Sequence, residues 1–96
     1  MPDARRFLEA SAIVKRFRER GIEPGGYTLY AYASVQAWGE AAQRAGSIAA
    51  VDVAQMLVKG RFTTALGTLG FDPQGDVTIP GFSMYRWSAG KYSQLD

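Results

Sequence analysis

Three tyrosines, Tyr27, Tyr30 and Tyr32, open an alanine-rich segment in a chain otherwise poor in groups that do chemistry. Aromatic side chains at this spacing can line a ligand pocket, and on a buried helix they equally serve as core. Asp72 and Asp76 flank Gly75 as in a calcium loop. The alternating acidic ligands ending in a glutamate that such a loop requires are absent, which leaves a tight turn. The chain has no histidine and no cysteine. Zinc sites, histidine-based catalysis, thiolate metal sites and disulfides are therefore excluded, and redox chemistry gives no reading of the compartment. No nucleophile, base and orienting residue can be assembled, so a non-enzymatic role without a cofactor is expected.

Charge is small but uneven. The net charge is +2, yet Arg5, Arg6, Lys15, Arg16, Arg18 and Arg20 crowd the first twenty residues against Asp3, Glu9 and Glu19. A basic run on an amphipathic helix is ordinarily a solvated face. It also keeps open a small basic nucleic-acid-binding protein, although no helix-turn-helix partner is evident and the aromatics are not interleaved with the basic residues as a stacking platform requires.

The elements that would position these residues follow from spacing. Pro2-Asp3 reads as a helix start with Asp3 as cap, and Phe7, Ala10, Val14 and Phe17 recur at intervals of three and four, predicting a helix over 4–20 that Gly21 ends in a left-handed cap. Glu23-Pro24-Gly25-Gly26 is a turn. The segment 27–45 carries Leu29, Val35, Trp38, Ala41 and Ala42 as well as the tyrosines on more than one side of a helical wheel. A helix apolar all round belongs inside a larger body. Gly46-Ser47 separates it from a shorter helix over 50–59 with Val51, Ala54, Leu57 and Val58 as its stripe, closed by Gly60. Residues 63–71, punctuated by threonine and glycine, suit short strands. Residues 82–87 and 91–95 flank Ser88-Ala89-Gly90 as a hairpin.

Ninety-six residues, 47% of them hydrophobic, make one thin domain that buries roughly 60–65% of its unfolded surface. No apolar run approaches the ~18 residues of a membrane span, and the amino terminus lacks the apolar core of a signal peptide. If the protein is exported, that signal would lie upstream.

The order of motifs is specific where each motif alone is weak. A Pro-Asp start and basic helix precede Gly26-Tyr27-Thr28-Leu29-Tyr30-Ala31-Tyr32-Ala33 and Val35-Gln36-Ala37-Trp38. Then come Gly67-Thr68-Leu69-Gly70-Phe71-Asp72, Gly75-Asp76 and Tyr85-Arg86-Trp87 before Gly90-Lys91-Tyr92. Over essentially its full length this resembles the last part of the leucine/isoleucine/valine-binding proteins, the periplasmic receptors of branched-chain amino-acid ABC transporters. The resemblance implies an α/β architecture: a partial type I periplasmic binding fold, three helices followed by short strands and a C-terminal hairpin, with residues 1–96 a single fragment contributing parts of both lobes. It also implies an aromatic residue, here Tyr27, bordering the ligand's side-chain pocket. The groups that hold the ligand's carboxylate and ammonium in that family lie upstream of this sequence. The parent's partners would be a small amino acid or aromatic carboxylate and a membrane permease, with no nucleic acid, and its compartment the periplasm. The fragment itself is expected to bind no amino acid tightly and to self-associate through its apolar second helix. A self-contained interaction module is the other alternative.

Overall fold

The computed structural model describes residues 1–79 and 81–95. Its first element departs from the single helix expected over 4–20. Two 3-10 turns, Ala4–Arg6 and Leu8–Ala10, precede the helix α1, Ser11–Glu19. Asp3 caps the first turn as expected, accepting the Arg5 backbone N–H at 3.1 Å. Phe7 between the turns is extended, with φ −75° and ψ 131°. In an unbroken helix Ala4 and Ala10 would sit about 120° apart around the axis. The break lets both be buried together against Ile13, Val14 and Leu29. Phe7 and Phe17 pack around the edge of this cluster. Gly21, at φ +74°, supplies the left-handed conformation that ends α1, and the Ile22 N–H reaches back to the Phe17 carbonyl at 3.0 Å.

After the buried Pro24, Thr28–Ala45 forms α2 and Ala50–Lys59 forms α3. Leu29, Ala33, Ala37 and Ala41, four residues apart, are the buried row of α2. The small side chains of Ala37 and Ala41 allow close packing on α3 and on a hairpin made of β1, Arg61–Thr64, and β2, Gly67–Gly70. In that hairpin Phe62 lies opposite Leu69, and both join Ala37, Ala41 and Val53 in a second core. Gln36 ties helix to hairpin, its side-chain oxygen accepting the Ala65 N–H at 2.8 Å. Gly60 is sterically required: a Cβ there would stand 2.7 Å from the Phe62 ring and 3.1 Å from both an Arg44 nitrogen and the Met56 carbonyl.

The bounds of α3 are as expected, but its inner face is not. Val53 is buried, with Met56 and Leu57 packed beside it, whereas Val51, Ala54 and Val58 are exposed. The helix carries apolar residues on nearly every side, so its partner selects the buried row and spacing alone does not.

Residues 72–76 form the expected turn: one Asp72 carboxylate oxygen accepts the Gln74 and Asp76 backbone N–H groups, each at 2.9 Å. Asp72 is thus occupied by its own backbone, as in an Asx turn. The expected hairpin forms from β3, Tyr85–Ser88, and β4, Lys91–Gln94, around Ala89 and Gly90, both at positive φ. The described strands make two separate two-stranded antiparallel sheets. Three helices followed by short strands in this mixed α/β order are consistent with a partial periplasmic binding fold.

Candidate functional site

The two chain ends meet beside the start of α2. The Asp3 N–H donates to the Gln94 side-chain oxygen at 2.6 Å across 91 residues of sequence, and an Arg6 guanidinium nitrogen reaches the Gln94 carbonyl at 3.4 Å. The Tyr85 hydroxyl donates to the Met1 carbonyl. These bonds hold the β3–β4 hairpin against the first 3-10 turn. The Tyr30 hydroxyl holds that turn to α2 by donating to the Pro2 carbonyl at 2.6 Å.

Between them lies a cleft of about 460 Å³, lined by Asp3, Arg5, Arg6, Gly26, Tyr27, Tyr85, Tyr92, Ser93 and Gln94 together with the first two residues. Its volume falls in the range of small-molecule sites. Tyr27 stands at its rim, 75% exposed, immediately before α2. Gly26, at φ +55°, turns the backbone into this position, and the Thr28 hydroxyl bonds back to the Gly25 carbonyl at 2.8 Å. Tyr85 and Tyr92 form the opposite wall as an edge-to-face pair with centroids 5.7 Å apart.

Charge at the cleft is set by a chain of ion pairs. Arg5 bonds Asp3 at 2.8 Å and Glu23 at 3.0 Å, and Arg18 bonds Glu23 at 2.9 Å. The Arg18 and Arg5 guanidinium groups together hold the Glu23 carboxyl down to about 2. The side-chain hydrogen bond from Arg5 lowers Asp3 despite its partial burial. Both acids are thus committed to arginines at neutral pH. Arg5, Arg6 and Asp3 leave the lining with one net positive charge, an environment that favours an anionic group such as a carboxylate.

Of the three tyrosines that open α2, the structure brings only Tyr27 to the cleft. Tyr30 is spent on Pro2, and burial raises its phenol. Tyr32 packs edge-to-face on Phe17, 6.2 Å between centroids, and both lie half-buried against the first core. Arg5, Arg6, Tyr85, Tyr92 and Gln94 escaped the sequence reading as cleft residues. The hairpin pattern gives Tyr85 and Tyr92 a strand but not a docking partner, and long-range packing leaves no local signal. Among the described residues, no group of three or more acidic, histidine or cysteine side chains could hold a metal, and no helix is long and apolar enough to cross a membrane.

No family model matches the chain. Individual proteins do. It is 47% identical, over 98 aligned positions and 98% of its length, to Leu/Ile/Val-binding protein homolog 1 of Brucella suis biovar 1. It is 43% identical over 91 positions, or 94% of its length, to homolog 2 of Brucella abortus. It is also 37% identical, over 94 positions and 97% of its length, to an amino acid binding protein of Pseudomonas aeruginosa. The chain spans only about a quarter of each relative, 26%, 24% and 25% respectively.

Proposed function

We propose that this chain, homologous over nearly its whole length to a quarter of the Leu/Ile/Val-binding protein homologues, is part of the amino-acid-binding component of a transport system. The observation that carries this is its high identity to proteins named for binding leucine, isoleucine and valine. The cleft supports it: an exposed aromatic at the rim, two arginines in the lining and a volume suited to a small solute. In this reading the protein is a receptor, not an enzyme. Its two lobes close around the solute, which is held by contacts made only in the closed state. A permease in the membrane receives the closed receptor on the periplasmic side. Residues 1–96 supply parts of both lobes, and Tyr27 packs on the ligand's side chain.

The polar groups that pair with the ligand's ammonium and carboxylate are assigned to the remaining three quarters of the receptor. A binding site needs both halves, because a zwitterion left partly unpaired in a closed cleft carries a large desolvation cost. The test is a hybrid in which these ninety-six residues replace the corresponding quarter of the Brucella suis relative. Calorimetric titration of the hybrid with L-leucine, L-isoleucine and L-valine is expected to show saturable binding of at least one. Tyr27→Ala in the hybrid is expected to weaken it by roughly 10–100-fold, the loss of about 1.5–3 kcal/mol of aromatic contact. A hybrid that unfolds cooperatively but binds none of the three overturns the reading.

A further inference from the structure

The basic residues near the start of the chain divide into two sets. Arg5 and Arg18 are paired with Asp3 and Glu23, and Arg6 reaches the Gln94 carbonyl. Lys15, Arg16 and Arg20 form no ion pair or side-chain hydrogen bond among the described residues. Arg16 and Arg20, four residues apart, both line a groove of about 320 Å³ where α1 meets α2. Buried Ile13 and half-buried Phe17 and Tyr32 supply its apolar lining, and Glu19 is its one acid. Like charges at this spacing repel along a helix. The helix C-terminus attracts cations, which accounts for Arg20. It does not account for two arginines in the lining of one aromatic groove.

Charge limits what can cover this groove. A guanidinium stays ionised in a protein, and one taken out of water without a carboxylate is strongly unfavourable. An apolar surface therefore cannot close over Arg16 and Arg20; the occupant must bring acid groups. The outer face of α1, with Ser11, Lys15, Arg16, Glu19 and Arg20 all exposed, has the composition that a folded protein keeps in water. That assigns the groove to a partner in solution and not to the rest of a receptor. Two features favour a protein over a nucleic acid. Phe17 and Tyr32 meet each other at 70°, which offers bases no parallel platform. Two arginines against Glu19 leave one net positive charge, enough for a carboxylate but not for a run of phosphates. We propose that the α1–α2 groove docks an acidic segment of a protein partner. Its carboxylates bond Arg16 and Arg20, and an aliphatic side chain beside them packs on Phe17 and Tyr32. This goes beyond the receptor reading and does not rest on it; a hybrid that binds no amino acid leaves it standing.

The chain is titrated at low salt against a fluorescein-labelled peptide of alternating glutamate and leucine, with anisotropy as the readout, and the titration is repeated with the cooperatively folded hybrid. Saturable binding is expected in both. Arg16→Gln and Arg20→Gln are each expected to weaken it at least about tenfold, the loss of a charge-assisted bond. Lys15→Gln removes the same charge from the same helix outside the groove lining, and is expected to change the affinity by less than about twofold. Replacing leucine by glycine in the peptide should weaken binding about tenfold as the aliphatic contact is lost. Circular dichroism of the three variants verifies that the helices persist. Absence of saturable binding, an equal loss with Lys15→Gln, or a glycine peptide that binds as tightly would each overturn the proposal. So would a labelled oligothymidylate that binds as tightly as the peptide, which would make the face one for nucleic acid. Binding by the chain but not by the hybrid would also overturn it, because the rest of the receptor would then fill the groove.

Discussion

At the residue scale, Tyr27 and Glu23 illustrate what a short sequence conveys and what it withholds. Tyr27 follows two glycines and precedes a helix, and the resemblance implies that it borders a ligand; it lines the cleft between the chain ends, and its contact with a ligand is the proposal made above. Glu23 carried no signal, because its importance comes from Arg5, eighteen residues away, and from Arg18. Its folded carboxyl lies near 2 against an ordinary value of 4.5. A depressed folded value means that the stabilisation is fully present above about 4.5 and disappears as the pH falls toward 2. The melting temperature of the native chain should therefore exceed that of Glu23→Gln near pH 6, and the gap should close as both are taken to about pH 2. Asp3 titrates in the same direction in both proteins and so cancels. A gap that is independent of pH would show that the arginines do not hold this carboxylate in solution.

At the scale of elements, boundaries were more legible than faces. The segment 50–59 could be delimited by Gly46-Ser47 before it and Gly60 after it, and α3 occupies that span. The buried row could not be read, since Val51 and Val58 are as apolar as Val53 and only contact with Phe62 and Ala41 distinguishes them. Val53→Ala is thus expected to cost about 1–3 kcal/mol in a urea titration, and Val58→Ala no more than about 0.5 kcal/mol. Equal effects would place both valines in the core and would contradict the face assigned to α3. The start of α1 was misread for a related reason. The three-to-four periodicity of Phe7, Ala10, Val14 and Phe17 is compatible with one helix, but burial of Ala4 beside Ala10 requires the extended Phe7 between two turns.

At the scale of the whole molecule, the chain is more open than a self-sufficient domain of its length. Its radius of gyration is 15.3 Å and its extents are 49 × 31 × 19 Å, against about 12.5 Å of radius for a compact globule of this length. Phe82, Met84 and Trp87 of the terminal hairpin region, Val35 and Trp38 of α2, and Ile48, Val51 and Val58 around α3 are all exposed. Apolar surface on this scale calls for a partner. The sequence conveyed this through an alanine-rich helix apolar on several sides, and the order of its motifs conveyed the likeness to the Leu/Ile/Val-binding proteins. The cleft was out of reach, because it is assembled from both ends of the chain. We propose that these residues carry part of an amino-acid site and depend on the rest of a receptor to complete it. Calorimetric titration of the isolated ninety-six-residue chain with L-leucine tests it most directly. No saturable heat in the micromolar range is the expected result, and a micromolar dissociation constant for the chain alone would contradict the claim.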